Sequence, residues 1–206
     1  MKTGRKPIYI SVDVEAAGPV PGRYSMLSIG ACVVGDSEKR FYEEIKPISH
    51  DYEVISMKVG SLGLNCLKPY AGRMEYDPYD DCFEPALVLQ ILEKEGVEPR
   101  RTMEQFYRWI ESVSVNRDPW MVTDIQPFDG MFVAWYFGTF CDHENIFGYK
   151  GINLDMLYKG LQGDLKVDLS ALEVKDTRNP AHNALEDALY QSRAAELILR
   201  RVHGEF

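Results

Sequence analysis

The sequence predicts an α/β domain with a mixed central sheet flanked by helices, and three features of its hydrophobic pattern predict it. Three strand-like runs with short connections open the chain. Helix-period segments then alternate with a further strand-like run, and a long amphipathic helix closes the pattern. The 206 residues are 45% hydrophobic and 27% charged and contain no repeat, so one full core fits and residues 1–206 read as a single domain.

Ile8–Val14 has the β-branched and aromatic composition of a buried strand, with acids at its C-terminal end, Asp13 and Glu15. A Gly/Pro turn over Gly18–Gly22 leads to a second strand, Met26–Val34, and alternation over Arg40–Ile45 gives a third. Their short connections make an antiparallel meander. From Lys46 to Pro85 periodicity disappears and Tyr, Asp, Gly and Pro accumulate, so the stretch reads as an irregular excursion. Helical spacing returns at Ala86–Glu95 and at Thr102–Val115, where Thr102 and Gln105 have the spacing of a capping box. Trp120–Thr123 reads as a short strand, Pro127 starts a helix carrying Phe128, Asp129 and Phe132, and another helix lies near Asn153–Leu161. The last helix takes Asn183 as N-cap, with Glu186 three residues on, and sets Leu185, Ala188, Leu189, Ser192 and Ala195 on one face.

A net charge of -9 argues against a broad basic face for long duplexes. A local groove is still compatible with it, because carboxylates gathered around divalent metals lose part of their charge on loading. The basic start, Met1 to Pro7, is followed by an apolar run that breaks at Asp13, too soon for a signal peptide or a membrane span; the expectation is a cytoplasmic protein with no membrane partner. Cys32, Cys66, Cys82 and Cys141 lie far apart without a C-x-x-C pair and read as free thiols.

Side chains two apart in a strand point the same way, so Asp13 and Glu15 face one side together. Adjacent anions repel unless a cation joins them, and hard divalent cations take oxygen ligands. On its own such a pair also arises by chance at strand ends. In His182-Asn-Ala-Leu-Glu-Asp187 a histidine precedes the N-cap and an aspartate lies in the first helical turns, so both can reach one cavity. The bland counterpart is a solvated loop histidine and an acid favoured by the helix dipole. Phe128-Asp129-Gly-Met-Phe132 has the same two readings, a site acid or a helix-start acid between core phenylalanines.

In this order the three motifs resemble the DEDDh 3′–5′ exonucleases of the ribonuclease H-like superfamily. Leu27-Ser-Ile-Gly-Ala-Cys-Val33 is similar to the second-strand motif of that family, and Asp187-Ala188 to its last motif. The resemblance runs from Asp13 to Leu199 and is weakest between Lys46 and Pro85. His182, five residues before Asp187, fits the histidine variant; the tyrosine variant carries Tyr where Asn183 stands.

The resemblance implies release of nucleoside 5′-monophosphates from the 3′ end of single-stranded DNA or RNA, with two Mg²⁺ ions for which Mn²⁺ substitutes. Asp13, Glu15, Asp129 and Asp187 would hold the ions and His182 would act as general base. Ala16, Ala17, Met26, Leu27 and Phe132 become candidates for the wall that receives the terminal nucleotide. Family members usually carry an acid at the position of Ser28 and an Asn near Asp124-Ile125-Gln126, places that help hold that nucleotide. Two other readings stay open at this point, a nucleic-acid-binding module without turnover and a metal phosphohydrolase of small nucleotides, as does a homodimer.

Overall fold

The structure, a computed structural model, describes residues 4–179 and 182–203. Strands β1 (Pro7–Ala16), β2 (Met26–Val33), β3 (Asp36–Glu44), β4 (Asp118–Thr123) and β5 (Gly151–Asn153) form one sheet in the order β3-β2-β1-β4-β5. β1, β2 and β3 pair antiparallel, as the short connections predict, while β4 adds parallel to β1 and β5 parallel to β4. The sheet is therefore mixed. With a neighbour on each side, β1 is central, which suits its continuous apolar run.

Among the described residues six α-helices accompany the sheet: α1 (Val54–Gly60), α2 (Pro85–Glu95), α3 (Pro99–Val113), α4 (Gln126–Phe140), α5 (Leu154–Gln162) and α6 (Ala184–His203). The two-residue repeat of β1 sorts them. Ile10, Val12 and Val14 point to one face and pack with Phe106 of α3 and Phe132, Tyr136 and Phe137 of α4. Tyr9 points to the other face, where Leu154 and Tyr158 of α5 and Ala195, Ile198 and Leu199 of α6 cover it. Asp13 and Glu15 share the parity of Tyr9 and so face α6.

Two expectations need correction. α3 begins at Pro99, whose fixed φ and missing N–H suit a first helical position, so Thr102 lies inside the helix and forms no capping box. Thr102 Oγ1 and Gln105 Oε1 are buried without hydrogen-bond partners among the described residues. The stretch 46–85 holds α1 and two 3₁₀ turns, Asn65–Tyr70 and Met74–Tyr76, and is more ordered than its composition predicts. Met57, Leu64, Leu67 and Phe83 pack there with Leu27, Leu89 and Leu92 in a third apolar cluster. Seven residues of helix are too few to show a period. No helix among the described residues is long and apolar enough to cross a membrane.

Candidate active site

The chain builds β1, β2 and β3 outward on one side of β1 and returns to build β4 and β5 on the other. The carboxyl ends of β1 and β4 therefore flank the place where strand order reverses, the usual position of a site in an open α/β sheet. β1 outruns its parallel partner: the β4 ladder ends at Ser11, while β1 continues to Ala16. Pairing with β2 continues past Asp13 and Glu15 and shifts register just after Glu15, an irregularity that often re-aims side chains beside active sites.

Opposite Asp13 on β2 stands Gly30, and opposite Glu15 stands Ser28. These small neighbours leave room for the first turn of α6. A Cβ on Gly30 would lie 2.2 Å from the carbonyl carbon of Ala184 and from the nitrogen of Leu185, so only glycine permits this approach. Asn183 caps the helix as the sequence predicts, its Oδ1 accepting from the backbone N–H of Leu185 and Glu186 at 3.1 and 3.2 Å. Asp187 then sits one turn in, directly over β1. One ligand atom from each of Glu15, His182 and Asp187 lies within 4.8 Å of the others.

Asp129 arrives from the first turn of α4. Its Oδ1 accepts from the N–H of Val14 at 3.2 Å, on the length of β1 that β4 leaves uncovered. Asp13 Oδ1 accepts from Gln191 Nε2 at 2.6 Å, and Gln191 Oε1 in turn accepts from the N–H of Asp124 at 3.2 Å. The amide of Gln191 is thereby fixed with its donors toward Asp13. No described residue donates a hydrogen bond to Glu15, although it is 7% exposed.

Electrostatically the acids oppose one another. Burial, then the charges of Asp129, Glu15 and Asp187, push the Asp13 carboxyl well above the ordinary carboxylate range. Glu15 is raised by burial and by Asp187 and Asp129. Burial pushes Asp129 up to about 7 against the lowering hydrogen bond from Val14. Buried carboxylates with mutual repulsion and, at Glu15, no donor among the described residues are a set of hard oxygens that fits a divalent cation.

His182 is exposed and has φ 59°, in the left-handed region that a non-glycine residue rarely enters. Its position is braced from the excursion. Gly63 packs so closely that a Cβ there would stand 2.4 Å from the His182 carbonyl oxygen. Asn183 Nδ2 donates to Gly63 O at 2.7 Å and to Tyr42 Oη at 3.2 Å. Tyr42 Oη donates to Glu44, whose carboxylate also takes the N–H groups of Asn65 and Cys66. Segment 61–66 thus holds the start of α6 and the histidine before it.

These groups surround a cleft of about 330 Å³, and all five predicted site residues, Asp13, Glu15, Asp129, His182 and Asp187, line it. The predicted nucleotide wall does not. Ala16, Ala17, Met26, Leu27 and Phe132 are between 0% and 5% exposed and belong to the apolar core, because the strand ends and α4 turn them inward. Ser28 is likewise buried, beneath α6. The apolar lining comes instead from Val59, Ile125, Phe128 and Tyr190, on α1, on the approach to α4, on α4 and on α6. Asp124, noted in the sequence beside Gln126, does line the cleft.

No family model matches the chain. The 3′-5′ DNA exonuclease Cap18 of Escherichia coli is 33% identical over 198 residues, covering 94% of this chain and 92% of the relative. This chain belongs to the DEDDh family of 3′–5′ exonucleases. Solved structures agree on the fold of this DEDDh exonuclease. The nuclease domain of 3′hExo, a DEDDh member bound to rAMP, superposes with a TM-score of 0.62 at 11% identity, covering 99% of this chain and 96% of that one. The E. coli ExoI–ssDNA complex in its zinc-bound form gives 0.61 at 13% identity, covering 97% of this chain and 42% of the longer protein.

The DEDDh exonuclease also has cleft residues that its sequence did not disclose. Gln191 sits one helical turn beyond Asp187, a spacing that gives a signal only once Asp187 is known to face the cleft. Arg178 and Val59 lie in stretches without periodicity, where no sequence signal marks them.

Proposed function

We propose that this DEDDh exonuclease hydrolyses the last phosphodiester at the 3′ end of a single-stranded DNA, releasing nucleoside 5′-monophosphates one at a time, in the cytoplasm. The observation that carries the reading is the convergence of four carboxylates and one histidine on a single cleft at the end of β1. The DNA preference rests on the relative at 33% identity, a DNA exonuclease, and the single-strand preference on the oligonucleotide complexes among the structural neighbours. The four cysteines are free thiols, in keeping with a reducing compartment.

Asp13, Glu15, Asp129 and Asp187 would hold Mg²⁺, two ions in our reading, for which Mn²⁺ would substitute. When bound, such ions lower the pKa of water, shield charge at phosphorus and stabilise the leaving oxygen. The chain's own groups do the rest. Gln191 keeps Asp13 oriented, and the N–H of Val14 does the same for Asp129. His182, exposed at the cleft mouth beside Glu15 and Asp187, removes the proton from the attacking water, a task suited to an imidazole near neutral pH. Val59, Ile125, Phe128 and Tyr190 give the terminal base apolar surfaces against which to stack.

The test is a gel assay of wild type and Asp13→Ala on end-labelled single-stranded DNA and RNA, with Mg²⁺, Mn²⁺ or EDTA. A ladder receding from the 3′ end, stronger on DNA, abolished by EDTA and by the substitution, is the expected result. A protein that cuts neither strand under any metal refutes the reading.

A further inference from the structure

Arg178 lies nine residues before Asp187 and reaches the cleft from the segment that follows a 3₁₀ turn at Leu169–Leu172. Its guanidinium is held on three sides. Nε and Nη2 donate to the two oxygens of Asp176 at 2.9 and 2.6 Å, a bidentate fork. The guanidinium carbon stands 4.3 Å from the centre of the Tyr190 ring on α6. Nη1 donates to Asp187 Oδ1 at 2.6 Å. Asp176 itself is held down to about 2 by Arg178, so the fork stays charged at any working pH.

Charge gives this arrangement its meaning. Among the described residues that line the cleft, Arg178 is the one arginine or lysine, against five carboxylates. Taking the exonuclease reading above as its basis, two divalent cations supply four positive charges and Arg178 the fifth. Loss of Arg178 makes the loaded cleft more negative by one charge where a phosphodiester has to enter, and leaves Asp176 unpaired beside it.

We propose that Arg178 is a further substrate-binding residue, whose guanidinium takes the non-bridging oxygens of the phosphodiester in the cleft, exchanging Asp187 for phosphate. A guanidinium N–H that satisfies a carboxylate oxygen suits a phosphate oxygen equally. Because Asp176 holds Nε and Nη2 and Tyr190 holds the plane, only the Nη1 side has to change partner. The same contact makes Arg178 a competitor for cations, since Nη1 engages an Asp187 oxygen that a metal ion would use. Removing the guanidinium then acts with opposite signs on the two ligands, whereas a merely structural loss weakens both.

The experiment compares wild type, Arg178→Gln and Arg178→Lys. Binding of a 5′-fluorescein oligothymidylate is followed by anisotropy in Ca²⁺ at several salt concentrations, with a gel of the same samples to verify that the strand stays intact. Mn²⁺ binding is measured separately by calorimetry without nucleic acid. For Arg178→Gln we expect the oligonucleotide to bind on the order of ten- to a hundredfold more weakly. The slope of log affinity against log salt should shrink by about 0.7, the value for one lost phosphate contact on a single strand. Mn²⁺ should bind roughly two- to fivefold more tightly. Arg178→Lys, which keeps the charge and loses the fork, should retain the salt slope and recover part of the affinity.

Unchanged oligonucleotide affinity in Arg178→Gln overturns the proposal, and so does weakening of both ligands together. A wild type that binds the strand but fails to shorten it in Mg²⁺ defeats the exonuclease reading alone, because the binding comparison still decides what Arg178 does.

Discussion

The two walls of the cleft are built by different means. Asp13, Glu15, Asp129 and Asp187 ride on β1, α4 and α6, regular elements tied by the β1–β2 pairing and a backbone-to-backbone contact at Gly30. His182 sits on irregular chain in a left-handed conformation, and its place is set by Asn183, Gly63, Tyr42 and Glu44 from three separate parts of the sequence. The acid wall takes its precision from regular structure. The base wall takes its precision from a small polar network. Cation binding and proton transfer should accordingly fail independently.

The largest effect should come from the base wall alone. Replacing His182 by Ala should lower kcat by roughly 10² to 10⁴, the usual contribution of a general base. Its side chain is exposed, so thermal stability and Mn²⁺ affinity should stay close to wild type. Single-turnover rates with parallel calorimetry check this, and a comparable loss of metal affinity would merge the two walls.

Gly30→Ala strikes the acid wall from behind. The new Cβ meets backbone at 2.2 Å, which rotamer changes cannot relieve, so α6 must shift at a cost of about 3 kcal/mol. An ångström of displacement at Asp187 costs roughly a hundredfold in rate. Urea unfolding and turnover should both report it. Normal stability would show that α6 has more freedom than its packing indicates.

Asn183→Asp separates capping from bracing. The substitution keeps the oxygen that caps α6 and removes the donors to Gly63 O and Tyr42 Oη. A loss of about 1–3 kcal/mol is expected from the unsatisfied acceptors. The fall in kcat should exceed any change in Mn²⁺ affinity. Calorimetry and rate measurements on the same preparation decide it.

The smallest effect is a pH dependence confined to the acid wall. Asp13, Glu15 and Asp129 have folded pKa values raised above their unfolded ones, so the folded state holds more protons. Stability in EDTA is then fullest below about pH 4 on this account and declines as pH rises through about 7, where Asp129 ionises. The thermal midpoint in EDTA should fall by a few degrees between pH 5.5 and 8, at roughly 2–4 °C per kcal/mol. Added Mg²⁺ should recover more at pH 8 than at pH 5.5. A midpoint that rises with pH in EDTA would contradict the proton count.

What was legible in the sequence divides along the same line. The parity of Asp13 and Glu15, the cap at Asn183 and the spacing from His182 to Asp187 are local, and local periodicity places them on one strand face and one helix start. The mixed sheet followed from short and long connections in the right order. The nucleotide wall did not. Ala16, Ala17, Met26 and Leu27 flank the motifs in sequence but turn into the core, and Phe132 packs beneath the sheet. Val59, Ile125, Phe128 and Tyr190 replace them from four distant points, which no window of residues reveals. The excursion concealed a short helix for the same reason, since its order comes from packing on Leu27 and Leu89.

The overhang of β1 beyond β4 gives the cleft its own reporter. The N–H of Val14 donates to Asp129, not to a neighbouring strand. Its exchange with deuterium is therefore gated by a carboxylate and not by opening of the sheet. The rate at this one amide should follow the occupancy of the site, while the amides of Ile10 and Val12, deeper in the ladder, follow global unfolding.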